Sequence, residues 1–106
     1  MEEKVKISIL LELYGDLLTD KQKEFMNYYY NDDLSLSEIA ENNDITRQAV
    51  RTILLKSKRK LEEYEEKLNF MQKEINIKEE IEKIEKTKLN ENQNIIIKNI
   101  KNQLDF

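Results

Sequence analysis

Apolar residues recur along this chain at spacings of three and four, the period of a helix with one buried face. Over residues 2–15 the stripe Val5, Ile9 and Leu13 is widened by Ile7, Leu10, Leu11 and Tyr14, predicting a first helix that Gly15 ends with a left-handed cap. Thr19 followed three residues later by Gln22 is a capping box, so a second helix runs from Asp20 to about Tyr30. Phe25, Tyr28 and Tyr29, at i, i+3 and i+4, are assigned to the core rather than to a base-stacking platform. Asn31-Asp32-Asp33 makes a polar turn, and Ser35 with Glu38 opens a short third helix through about Asn43. Thr46 caps a fourth.

From there Val50, Leu54, Ser57, Leu61, Tyr64, Leu68, Met71 and Ile75 follow a heptad pattern, which predicts one long rod. The phase slips near Asn76, where a stripe of Ile77, Ile81 and Ile84 begins. After the polar stretch 90–94, a last short stripe falls on Ile96 or Ile97, Ile100 and Leu104, in an asparagine-rich tail expected to fray after about residue 88. The pattern is all-α. It describes a helix-turn-helix bundle over residues 1–68, whose long recognition helix extends into a C-terminal helical segment, 69–106, expected to be partly flexible.

Composition narrows the function. With no proline and one glycine in 106 residues there is little material for hairpin turns. The absence of cysteine removes disulfides, thiol nucleophiles and thiolate metal sites, and the absence of histidine removes the usual proton shuttle and the commonest transition-metal ligand. Neither a glycine-rich phosphate loop nor a facing carboxylate pair is evident, since Glu62-Glu63 and Glu65-Glu66 are adjacent on a helix and point about 100° apart. The expectation is a protein that is not an enzyme and holds no cofactor or metal. No apolar run reaches membrane-spanning length, so the chain reads as cytoplasmic with no membrane partner.

Leu36–Leu55, LSEIAENNDITRQAVRTILL, has the grammar of a helix-turn-helix. Ala40 sits where two helices meet closely, with Leu36 and Ile39 on the buried face. Asp44 holds the turn position that is often glycine, Ile45 anchors the turn, and Val50 and Ile53 face inward. Asn43 stands where an apolar residue is more usual, which weakens the packing expected beneath the turn. That arrangement leaves Thr46, Arg47, Gln48, Arg51 and Thr52 facing outward at the start of the second helix, where this motif enters the major groove. Leu55 lies beside them, within reach of a thymine methyl.

Arginine can fork onto guanine and glutamine onto adenine, each such pair worth roughly 1–3 kcal/mol of discrimination. Lys56, Lys58, Arg59 and Lys60 lie later on the helix, better placed for phosphates. Residues 47–60 therefore carry six basic side chains and no acidic one in a chain of net charge −4. Phosphates sense that local face and not the overall sum. A solvated helix face is the bland alternative, and a capped motif with so one-sided a charge favours nucleic acid.

The segments LLTDKQ, YYYNDDLSLSEIA and TRQAV, in that order and spacing, resemble the YlxM family of small bacterial helix-turn-helix proteins over Ile9–Leu68. More distantly, the motif is similar to the C-terminal promoter-reading region of sigma factors. The resemblance implies an all-helical regulator that binds double-stranded DNA. It also implies a link to the signal recognition particle pathway, through neighbouring genes. Arg51 stands where family members often carry tyrosine.

Three readings follow: a DNA-binding transcription regulator; an accessory factor that binds the particle's RNA or protein without reading bases; and a homodimer. For the last, the stripe Val50–Ile75, flanked by Glu62, Glu65, Glu66, Lys67 and Lys73, either pairs with a second copy or packs back on Ile7, Leu10 and Phe25.

Overall fold

A computed structural model describes residues 1–104; the last two positions of the expected 69–106 extension, Asp105 and Phe106, lie outside the described residues. Among the described residues there are six α-helices and no strand. They are α1 (Glu3–Tyr14), α2 (Asp20–Tyr30), α3 (Leu36–Asn42), α4 (Arg47–Leu68), α5 (Phe70–Glu85) and α6 (Glu91–Lys101). The chain divides into two compact units, Met1–Leu68 and a second from Asn69 onward.

In the first unit α1, α2 and α3 pack against α4. The core is built from Ile7, Leu10, Leu11 and Tyr14 of α1, Phe25 and Met26 of α2, Ile39 and Ala40 of α3, and Val50, Leu54 and Leu61 of α4. The buried face of α1 is thus 7, 10, 11 and 14, while Val5 is exposed. Six apolar residues between positions 5 and 13 surround that helix, so periodicity alone did not choose the face. Tyr29 is likewise on the surface and Tyr28 only half-buried; Met26 takes the core place the tyrosines were expected to fill.

The local signals explain the helix ends. Both expected capping boxes form: Thr19 accepts from the Gln22 amide, Ser35 accepts from the Glu38 amide, and the Gln22 and Glu38 side chains return the bond. Gly15 departs from expectation. It keeps a right-handed backbone (φ −56°) and opens a 3₁₀ turn, Gly15–Leu17, in place of a left-handed cap. Asp33 supplies a left-handed corner after α2, letting the Leu34 amide reach back to the Tyr28 carbonyl at 2.9 Å.

Residues Val50, Leu54, Ser57 and Leu61 of the heptad stripe are buried within the first unit, so this half packs back on its own bundle and is not available to a second copy. Ser57 is tolerated there because its hydroxyl donates to the Ile53 carbonyl at 2.7 Å, leaving no unpaired polar group. Glu65 is also engaged internally, accepting from the Tyr14 hydroxyl at 2.8 Å, and the Tyr14 and Tyr64 rings lie 5.9 Å apart.

The rod does not run to Ile75. Helix α4 stops at Leu68 because Asn69 adopts the left-handed conformation (φ 59°, ψ 28°), which asparagine reaches more cheaply than most residues. The break therefore lies at Asn69 and not at Asn76, which is inside α5. Beyond residue 88 the chain is helical again. Asn90 accepts from the Gln93 amide at 2.8 Å while the Gln93 side chain bonds back, a third capping box that starts α6. In the second unit Ile81 of α5 and Ile97 of α6 are buried, and Lys101 pairs with Glu85 at 3.2 Å.

Candidate nucleic-acid interface

The turn between α3 and α4 positions the site. Asp44 sits at φ 53°, the left-handed corner that glycine occupies at less cost. Asn43, the expected weak point, closes α3 with its side chain: its amide donates to the Ile39 carbonyl at 2.8 Å, replacing apolar packing with a capped carbonyl. The Ile45 amide then reaches the Ala40 carbonyl at 3.1 Å. Ala40 is buried where α3 meets α4, and its small side chain lets the helices approach. Thr46 caps α4 by accepting from the Ala49 amide at 3.0 Å. Asp44→Gly should relieve the corner and raise stability by about 0.5–1 kcal/mol after the extra backbone entropy of glycine is subtracted. Thermal unfolding should show a midpoint higher by a few degrees, and a lower midpoint would mean the aspartate side chain holds the turn.

Thr46, Arg47, Gln48, Arg51 and Thr52 are all exposed. At about 100° per residue, Gln48, Thr52 and Arg59 share the face opposite the buried stripe, whereas Arg47, Arg51 and Lys58 run along one flank. Lys56 and Lys60 lie toward the other flank. The Thr52 hydroxyl donates to the Gln48 carbonyl at 3.0 Å, which turns it toward its own helix. No acid stands in the first turn of α4, so the arginines add to the positive end of the helix dipole. About 14–20 Å of helix separates Arg47 from Lys56, Arg59 and Lys60, too far for one groove crossing to hold all of them against base edges.

Lys58 differs from the other five basic residues. It is half-buried, and its ammonium donates to the Glu3 carboxylate in the first turn of α1. That hydrogen bond and charge hold the Glu3 carboxyl below its ordinary 4.5 and raise Lys58 above 10.5. With Glu3 lowered, its contribution is complete above pH 4.5 and is lost as pH falls through the lowered value. With Lys58 raised, its contribution is complete below pH 10.5 and fades above it. The pair is intact at neutral pH. Among the described residues no ion pair holds Arg47, Arg51, Lys56, Arg59 or Lys60.

Sequence patterning concealed the role of Glu3, which lies 55 positions from Lys58. It also hid a shallow groove of about 250 Å³ beside the recognition helix, where Tyr29 and Leu36 meet Arg51, Leu55 and Lys58. Leu55 is 48% exposed.

A capped, two-helix motif with a close alanine crossing and a solvent-facing second helix defines a helix-turn-helix protein. The match to a family model agrees: residues 1–103 fit the family described as "Putative helix-turn-helix protein, YlxM / p13 like", and the chain belongs to that family, UPF0122. It is 51% identical over 79 residues to a UPF0122 protein of Clostridium kluyveri, covering 74% of this chain and 71% of that protein. A UPF0122 protein of Fusobacterium nucleatum is 41% identical over 100 residues, covering 94% of this chain and 97% of its own length. One from Clostridium perfringens is 43% identical over 108 residues, with 99% and 92% covered. No helix among the described residues is long and apolar enough to cross a membrane.

Proposed function

We propose that this protein binds double-stranded DNA through α4 and acts as a transcription regulator rather than an enzyme. In this reading Thr46, Arg47, Gln48, Arg51 and Thr52 meet the major groove while Lys56, Arg59 and Lys60 meet phosphates. One observation carries the reading: five basic side chains on the exposed side of a helix-turn-helix second helix, none in an ion pair among the described residues. A polyanion supplies the counter-charge that these cations lack, although the chain as a whole carries −4. Lys58 is a reserve contact, held by Glu3 until a phosphate competes for it.

Titration of labelled duplex at two salt concentrations tests the proposal. The slope of log K against log salt should be about −3 if Lys56, Arg59 and Lys60 alone meet phosphates, and about −4 to −5 if Arg47 and Arg51 join them. Absence of duplex binding at low salt would overturn it. The signal recognition particle's RNA and protein belong in the same titration. Tight binding to either with weak duplex binding would make this an accessory factor of that machinery instead.

Glu3→Gln releases Lys58, so it should strengthen duplex binding about two- to threefold at low salt and steepen the slope by about one. An unchanged slope would place Lys58 outside the phosphate path.

A further inference from the structure

We infer that the groove of about 250 Å³ beside α4 seats the sugar–phosphate backbone of one DNA strand, with the Tyr29 and Tyr30 hydroxyls donating to its phosphate oxygens. In this reading, which rests on the proposed function, two uncharged residues join the cations of α4. The protein has five tyrosines, and three of their hydroxyls are engaged within the chain. Tyr14 donates to Glu65 and Tyr28 to Glu24, while Tyr64 is directed at the Leu17 carbonyl at 3.5 Å. Among the described residues the Tyr29 and Tyr30 hydroxyls have no such partner, and both of these side chains line the one groove.

The neighbouring side chains identify the ligand. Arg51 and Lys58 line the groove with the two tyrosines, and Glu3, bound to Lys58, is the one acid among the described residues lining it. Two cations beside two neutral donors match an anion rich in acceptor oxygens. Leu36 and Leu55 add apolar wall, which a deoxyribose can use and a free phosphate ion cannot. Burial raises the Tyr30 pKa above its ordinary 10.0, with Lys58 and Glu3 acting in opposite directions, so this hydroxyl keeps its proton at neutral pH. The Tyr29 and Tyr30 rings meet edge to face with centroids 5.0 Å apart, which limits their freedom before any ligand arrives. A helix lying in the major groove has one strand on either side. Lys56 and Lys60 lie toward one flank of α4, and the cleft opens on the other, beside Arg51 and Lys58. The tyrosines thus serve the second strand.

Titration of labelled duplex at two salt concentrations, with the full-length wild type and a variant carrying Tyr29→Phe and Tyr30→Phe, tests the contact. Affinity should fall about three- to tenfold at both salts while the slope of log K against log salt stays unchanged, because a neutral donor releases no counterion. Both substitutions keep the rings, so helical circular dichroism should match wild type. Should the pair misfold, Tyr29→Phe alone, at the more exposed ring, should still lower affinity about two- to threefold at constant slope. A double variant that binds as wild type does overturns the inference, since water alone would then satisfy the hydroxyls. A flattened slope overturns it too, because the tyrosines would then act by supporting Arg51 and Lys58. Wild type that binds no duplex overturns the proposed function itself, and this contact with it.

Discussion

Replacing Arg47 and Arg51 together by alanine should lower affinity for duplex DNA by about ten- to a hundredfold and reduce the salt slope by about two. The two arginines are one turn apart on one flank of α4, separated by about 6 Å along the axis, a little under two base-pair steps of about 3.4 Å. Both are exposed, and among the described residues no carboxylate holds either one, so their removal should leave the fold intact. The two effects separate the roles. Loss of affinity with a flattened slope assigns the arginines to phosphates, whereas loss restricted to particular sequences at constant slope assigns them to base edges. Isotherms of wild type and variant that coincide at two salt concentrations would remove α4 from the interface.

Leu61→Ala should destabilise the first unit by about 2–5 kcal/mol, since a fully buried leucine leaves both lost transfer energy and a cavity. For a domain of this size that lowers the unfolding midpoint by more than about 10 °C. Leu61 lies one position beyond the basic stretch and faces the opposite way, toward the bundle. Binding at a temperature where the variant is still folded should therefore match wild type. A small loss of stability would mean the bundle closes over the gap, and a loss of binding without unfolding would mean that the far end of α4 sets the position of its start.

Much of the first unit was legible because its helix ends are written in short-range chemistry. Thr19 with Gln22 and Ser35 with Glu38 mark two helix starts within four residues each, and Asp44 marks the turn. The errors arose where the deciding contact is distant or the pattern is degenerate. Apolar residues fall on more than one side of α1, so the neighbouring helices choose the buried face. Gly15 can adopt a left-handed cap but is not obliged to, and a 3₁₀ turn intervenes. Three-four spacing continues across Asn69 without interruption, so the break there depends on one backbone conformation that hydropathy does not register. Asn90 and Gln93 were legible in principle; asparagine with glutamine at N3 is a capping box, here read only as a polar interruption. The basic positions of the candidate site are evident in sequence, but the tether from Glu3 to Lys58 requires α1 to lie along α4.

Helix α4 carries its charge in two consecutive blocks, cationic over residues 47–60 and then anionic at Glu62, Glu63, Glu65 and Glu66. A polyanion at a distance attracts one end of this helix and pushes the other away, exerting a torque before any atom touches. Diffusing molecules would thus arrive already oriented, with the turn leading, and wrongly oriented encounters would be turned aside. The kinetic signature is an association rate that falls with added salt while the escape rate changes much less.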